Sequence, residues 1–69
     1  EAATHREVIE AASGFAVQNG FSAVGLDFSP IKGPEGNIEF LMHVRKCVQP
    51  EGLPQRTIEA VVSKAHESL

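Results

Sequence analysis

The residues of this chain that are best suited to chemistry lie in and just after one loop. The loop, residues 29–37, contains two prolines, two glycines and an asparagine, and Glu39 follows it closely. The prolines fix their own φ angles, while Gly33 and Gly36 permit φ values that other residues avoid. A loop whose backbone is specified this closely commonly carries function.

Glu39 is the strongest single candidate, because a carboxylate beside such a loop could orient or tune a lysine or a hydroxyl group. An exposed strand glutamate without a special role has the same sequence signature, since charged residues are mostly exposed. The candidate residues for substrate contact are Lys32, Gly33, Gly36 and Asn37. Lys32 could meet a phosphate group, and a solvated loop lysine is the alternative.

Two other constellations do not support a site. Residues 33–36 match the GxxG loop of KH domains in form, but they join two predicted strands and carry a glutamate that would repel phosphate. His43 and Cys47 share a strand face, yet together with His5 and His66 they lack the short spacings of four convergent zinc ligands. We expect both of the latter histidines to be structural residues of helices.

A helix, two strands and a second helix are predicted to position the loop. The first helix is expected from about His5 to Asn19, with Thr4 and Glu7 as a capping box and Gly20 as its end. Its apolar stripe is predicted at Val8, Ala12, Phe15 and Ala16. Ser13 is predicted to lie off this stripe, and Gly14 marks either close packing or a tolerated surface position.

Both strands are predicted from alternation with period two. The first is expected over Ser22 to Ser29, with its larger apolar side chains on one face, namely Val24, Leu26 and Phe28. The second is expected over Ile38 to Cys47, with Ile38, Phe40, Met42 and Val44 facing one way. Because a local loop joins them, the two strands should pair antiparallel.

The second helix is predicted over about Pro54 to Glu67, after a linker at Val48 to Leu53. Its apolar stripe consists of Ile58, Val61, Val62, Ala65 and Leu69. The fold class is therefore α/β, in the order α-β-β-α with an antiparallel strand pair.

Composition limits the function classes. The chain has 69 residues, so it is one small domain or part of one, and such a chain buries only about 60% of its unfolded surface. Its net charge of −3 argues against nucleic-acid binding by this segment alone. The single cysteine and the lack of a long apolar run favour a cytoplasmic protein. Because the sequence opens at Glu1, we expect a truncated chain.

Three segments resemble the C-terminal part of the TlyA family, which are hemolysin-like ribosomal RNA methyltransferases with an FtsJ-type catalytic domain. The segments are Gly20-Phe21-Ser22, Gly25-Leu26-Asp27-Phe28, and Ser29-Pro30-Ile31-Lys32-Gly33-Pro34-Glu35-Gly36-Asn37-Ile38-Glu39-Phe40-Leu41. The resemblance extends from about Glu7 to about Lys46. It implies that residues 1–69 are the closing segment of a Rossmann-like sheet, without the cofactor loop and without the family's S4 RNA-binding domain.

In that family the methyl group of S-adenosylmethionine is transferred to a ribose 2′-hydroxyl of ribosomal RNA, and catalysis is attributed to a Lys-Asp-Lys-Glu tetrad. Glu39 matches the glutamate of the tetrad. Its implied role is to keep the catalytic lysine charged and oriented while that lysine helps to deprotonate the hydroxyl. The resemblance further implies that the fragment alone is inactive and does not bind S-adenosylmethionine by itself.

Two other function classes stay open. The hemolysin name points to a membrane-acting protein, but neither helix combines a basic polar face with bulky aromatic residues on its apolar face, so no membrane partner is expected. The other class is a domain that binds a partner without catalysis. Ribosomal RNA is the expected partner of the full-length protein, and the exposed strand edge of the fragment could support a homodimer.

Overall fold

The computed structural model describes residues 1–69, with two helices packed on one face of a two-stranded sheet. The elements are α1 (Ala2–Gln18), β1 (Phe21–Phe28), a 3₁₀ turn (Pro34–Gly36), β2 (Phe40–Lys46) and α2 (Gln55–Ser68). The two strands pair antiparallel. The predicted α-β-β-α order and the antiparallel pair are therefore confirmed, with element ends displaced by one to three residues.

The predicted capping box of Thr4 and Glu7 is wrong, because α1 begins earlier. Glu1 is the N-cap residue, and no side chain makes a capping hydrogen bond. The backbone N–H of His5 donates to the carbonyl of Glu1 at 3.0 Å, so Thr4 lies inside the first turn. The extension is explained by Ala2 and the alanine after it, since alanine has the highest helix propensity.

The end of α1 is as predicted. Gly20 has a φ of +84°, in the left-handed region that favours glycine. The carbonyl of Phe15 accepts both the side-chain amide of Asn19 at 2.8 Å and the backbone N–H of Asn19 at 3.1 Å. The N–H of Gly20 donates to the carbonyl of Val17 at 3.0 Å. The chain can therefore turn at once into β1.

The buried face of α1 is rotated by about one residue from the predicted stripe. Ile9 and Ser13 are buried, whereas Val8 and Phe15 are 61% and 67% exposed. A Cβ atom added at Gly14 would meet no atom within 4 Å, so the close-packing interpretation of this glycine is wrong. Apolar residues flank both sides of the helix, and the contact with α2 selects the side that carries Ile9.

The core lies between the two helices and the sheet. Ile9 of α1 packs with Ile58 and Val62 of α2, and both α2 residues are almost fully buried. The predicted stripe of α2 is therefore confirmed. Partly buried apolar residues surround this cluster, namely Ala2, Leu26, Phe40, Met42 and Leu53.

A bulge in β1 changes which residues face the helices. Ala23 pairs with Val44 and Gly25 pairs with His43, which leaves Val24 without a partner on β2. Such an extra residue shifts the alternation by one position. Ala23 is consequently buried and Val24 is 53% exposed, so the prediction that Val24 shares a strand face with Leu26 is wrong.

The predicted linker at residues 48–53 is bound to β1. The N–H of Ala23 donates to the carbonyl of Glu51 at 2.9 Å, and the N–H of Glu51 donates to the hydroxyl of Ser22 at 2.9 Å. Neither α1 nor α2 is long and apolar enough to span a lipid bilayer.

Candidate catalytic loop and carboxylate

The loop between β1 and β2 is closed by backbone hydrogen bonds. At its base, the N–H of Ser29 donates to the carbonyl of Glu39 at 2.9 Å. Inside the loop, the N–H of Gly33 donates to the carbonyl of Asn37 at 2.7 Å, and the N–H of Gly36 donates to the carbonyl of Gly33 at 3.1 Å. These bonds fix the position of the loop relative to the start of β2.

The first half of the loop is fixed by a serine side chain. The hydroxyl of Ser29 donates to the carbonyl of Ile31 at 2.9 Å and accepts the N–H of the same residue at 3.3 Å. A serine that bonds to the backbone two residues later forms a local turn of its own. Together with the fixed φ of Pro30, this turn leaves the loop few alternative conformations.

Positive φ angles occur at the loop tip, at one of the two positions that the sequence indicates and at one that it does not. Gly36 has a φ of +78°, as predicted. Gly33 has a φ of −76°, so the predicted conformational freedom of this glycine is not used. Glu35 instead has a φ of +63°, and the left-handed region costs a residue with a Cβ atom about 1–2 kcal/mol. The strain of this loop is therefore located at Glu35, between Pro34 and Gly36.

Gly33 serves a different purpose, because it makes room for Glu39. A Cβ atom at Gly33 would lie 2.7 Å from Cδ and 3.0 Å from Cγ of Glu39, closer than real Cβ contacts allow. The side chain of Glu39 therefore lies against the loop backbone at a position that only glycine leaves open. Glu39 is exposed, so its carboxylate can be reached from outside the chain.

The structure brings together four of the five residues that the sequence singled out, and Lys32 is the exception. Gly33 contacts the side chain of Glu39 and bonds to the backbone of Asn37. Gly36 shapes the turn between them, and Lys32 is an exposed residue of the same loop. The arrangement can present one carboxylate beside an ordered loop that carries one cation.

One contact beside this site was missed at the sequence level. Nδ1 of His5 and Nε2 of His66 lie 2.9 Å apart, although 61 residues separate them in the chain. The ring of His5 also contacts the ring of Phe40 edge-on, with centroids 5.2 Å apart. Phe40 directly follows Glu39. The sequence contains no local signal for this contact, since it depends on the packing of α1 against α2.

An open groove of about 290 Å³ runs between α1 and the sheet. Its lining is apolar except for His5, and comprises His5, Val8, Ile9, Ala12, Leu26, Ile38, Phe40 and Met42. No group of three or more His, Cys, Asp or Glu residues lies close enough together to hold a metal ion. The polar side chains that could act on a substrate therefore lie at the loop and at Glu39, and the groove offers only His5.

No protein-family profile matches the chain. Over 68 residues the chain is 38% identical to a protein of Bacillus subtilis (strain 168) named "Putative rRNA methyltransferase YqxC". The match covers 94% of this chain and 24% of that protein. The chain thus spans about a quarter of the length of this curated relative.

Two solved structures share the fold. The first is named "Putative hemolysin from Streptococcus thermophilus" and superposes with a TM-score of 0.93 at 47% identity, covering 99% of this chain and 25% of that chain. The second, a protein of Lactococcus lactis also named a putative hemolysin, gives a TM-score of 0.85 at 44% identity, covering 96% of this chain and 32% of that one. The α-β-β-α arrangement is therefore similar to a segment of considerably longer proteins.

Proposed function

We propose that this chain is the C-terminal part of a TlyA-family RNA methyltransferase, in which Glu39 supports methyl transfer to a ribose 2′-hydroxyl of ribosomal RNA. The observation that carries this proposal is the 38% identity, over 94% of the chain, to a protein named as an rRNA methyltransferase. The proposal includes a Rossmann-like sheet that this segment closes, dependence on S-adenosylmethionine, and inactivity of the segment alone.

Two contacts of Glu39 support its proposed role. Its side chain lies against the backbone at Gly33, and its own carbonyl is bonded to Ser29, so both ends of the residue are positioned. A carboxylate placed in this way favours the charged form of a neighbouring lysine and holds its ammonium group in one orientation. In the proposed site that lysine belongs to another part of the longer protein, and it assists removal of the hydroxyl proton from the ribose.

S-adenosylmethionine does not fit the groove of this chain. The cofactor carries a ribose, an amino-acid moiety and a sulfonium cation, all of which need polar partners when they are bound. The groove offers seven apolar residues and one histidine, His5. In the proposed enzyme the cofactor, which supplies the activated methyl group, is therefore held by segments outside residues 1–69.

The loop is proposed to contact RNA through few groups. Lys32 is exposed and could neutralise one phosphate, while Asn37 is exposed beside Glu39 and could bond to a sugar hydroxyl. With a net charge of −3, the chain cannot supply most of the electrostatic attraction to RNA. We therefore assign that attraction to the rest of the longer protein.

The test is methyl transfer from S-adenosylmethionine to ribosomal RNA by the longer protein that contains this chain, compared with its Glu39→Gln variant. Glutamine keeps the size of the side chain and removes the charge, so we expect a loss of about 10²-fold or more in rate. Glu10→Gln, on the exposed side of α1, is the matched control and should keep full activity.

The outcomes separate two parts of the proposal. Absence of methyl transfer by the unchanged protein would refute the methyltransferase assignment. Full activity of Glu39→Gln would retain that assignment and refute the catalytic role of Glu39. Thermal unfolding of each variant shows whether a loss of rate comes from loss of structure.

A membrane-acting protein is the second candidate, because both similar solved structures are named hemolysins. Exposed apolar side chains on α1, Val8 and Phe15, are the feature that would favour it. Dye release from liposomes by the longer protein tests this function directly. Release that is abolished by Phe15→Gln, without methyl transfer, would place the membrane function first.

A further inference from the structure

His5 and His66 join the two ends of the helical layer. His5 lies at the end of the first turn of α1, and His66 lies in the last turn of α2. Their rings are 5.0 Å apart between centroids, and Nδ1 of His5 is 2.9 Å from Nε2 of His66. At this distance one imidazole donates a hydrogen bond and the other accepts it.

The pair rests on the edge of the core. The ring of His5 meets Phe40 edge-on at an interplanar angle of 63°, and Phe40 packs against the cluster around Ile9. Since Phe40 is the first residue of β2, the pair joins both helices and, through His5, the start of the strand that follows the loop at residues 29–37. Protonation of the two imidazoles is therefore coupled to the packing of α1, α2 and β2.

We propose that His5 and His66 form a pH-sensitive clasp, which holds the start of α1 to the end of α2 and opens when both imidazoles are protonated. With no proton or one proton added, the pair retains a donor and an acceptor, and the hydrogen bond persists. With two protons added, both rings are donors only and both are positively charged. The hydrogen bond is then replaced by repulsion at close range.

The groups around His5 disfavour its protonation. Burial, the chain-terminal amino group and His66, in that order, lower the pKa of His5 below its usual value of 6.5. The geometry gives the same direction, because a charged His5 would lose its role as acceptor at 2.9 Å from His66. Opening of the clasp therefore follows protonation of His5.

The charged residues next to the pair along the chain come from both helices. On α1 Glu1 precedes His5 by one helical turn, and on α2 Glu67 directly follows His66. From β2 the uncharged ring of Phe40 meets the ring of His5. Two imidazoles do not complete a metal site, since structural zinc takes four ligands and no group of three or more His, Cys, Asp or Glu residues could hold an ion here.

The sign of the pH effect follows from the lowered pKa of His5. The unfolded chain takes up the proton at a pH near 6.5, whereas the folded chain resists it until a lower pH. The stabilising contribution is therefore complete above pH 6.5 and is lost as the pH falls through the lowered pKa of His5. A more acidic solution favours the open clasp.

The experiment is a proton and ¹⁵N NMR titration of the histidine rings of the chain from pH 8 to pH 4. We expect a pKa below 6.5 for His5, and disappearance of the nuclear Overhauser contacts between His5 and α2 as His5 is protonated. A chain acetylated at its N-terminus is measured in parallel. Acetylation removes the charge of the amino group, which contributes to the lowered pKa of His5, and leaves His66 in place.

His66→Gln is the decisive variant, and its exposed position makes loss of the fold an unexpected result. Glutamine cannot be protonated, so we expect the pKa of His5 to rise towards 6.5 and the contacts between α1 and α2 to persist to lower pH. His43→Gln, on the opposite face of the sheet, should leave both properties unchanged. An unshifted pKa of His5 in His66→Gln, or helix contacts that persist when both rings are charged, would overturn the clasp.

Discussion

At the scale of single residues, the two glycines of the loop have different tasks. Gly36 is required for its backbone angle, since its φ is +78° and a Cβ atom there would meet nothing within 4 Å. Gly33 has an ordinary φ and is required for space, because the side chain of Glu39 occupies the volume of its missing Cβ atom. Substitution by alanine should therefore displace the side chain of Glu39 at position 33 and lower stability at position 36.

We expect Gly33→Ala to displace the carboxylate of Glu39 with little loss of stability. The atoms that a Cβ would meet belong to an exposed, flexible side chain, which can rotate away at a cost below about 1 kcal/mol. In the longer protein the same substitution should lower methyl transfer, as we expect for Glu39→Gln. Urea unfolding of the chain and methyl transfer by the longer protein measure the two effects.

Gly36→Ala is the matched control for that prediction. Its strained φ should cost about 1–2 kcal/mol in the free energy of unfolding. If Gly33→Ala proves the more destabilising of the two, the space-making role assigned to Gly33 is wrong.

At the scale of elements, the buried serine of α1 connects the helix to the segment that leads into α2. The hydroxyl of Ser13 accepts the N–H of Leu53 at 2.8 Å, and a Cβ atom at Gly52 would lie 2.9 Å from the same oxygen. The close approach of Gly52 thus allows the backbone to bond to the helix. The start of α2 is fixed relative to α1 by this contact as well as by the apolar core.

We expect Ser13→Ala to lower the free energy of unfolding by about 1–3 kcal/mol, because the N–H of Leu53 is left without its partner in a partly buried position. Ser63→Ala, on the exposed side of α2, is the control and should change stability by less than about 0.5 kcal/mol. Equal effects of the two substitutions in urea unfolding would show that the hydrogen bond to Leu53 contributes nothing.

At the scale of the whole molecule, few residues are buried and many large apolar side chains are exposed to solvent. Six of the 69 residues are buried, whereas seven large apolar residues are exposed. Three of the exposed residues, Val24, Leu41 and Val44, lie on the strands, and each strand pairs with only one other strand. Unpaired strand edges beside exposed apolar side chains favour association.

We therefore expect the 69-residue chain to self-associate in a concentration-dependent manner, as sedimentation velocity would show. Leu41→Lys should weaken this association, because it places a charge on the exposed strand surface. Val48→Lys is the control: Val48 is 98% exposed and lies outside the strands, so its substitution should have no effect. A monomer at all concentrations would contradict the expectation.

The amino-acid sequence determined the local structure of this chain. Period-two alternation predicted both strands, the stripe at Ile58, Val62 and Ala65 predicted α2, and Gly20 predicted the end of α1. These features depend on residues close together in the chain, whose propensities and spacings are visible in the sequence. Glu39 was likewise selected from its place after a shaped loop, and its catalytic role stays a prediction.

Tertiary structure decided which of several acceptable local choices is used. The bulge at Val24 exchanges the faces of β1, and packing against α2 turns Ile9 and Ser13 inward in place of Val8. The contact between Gly33 and Glu39 and the pair of His5 with His66 join distant atoms. None of these could be predicted from spacing, because each depends on how separate elements pack together, and that packing selects among arrangements that local propensity leaves nearly equal.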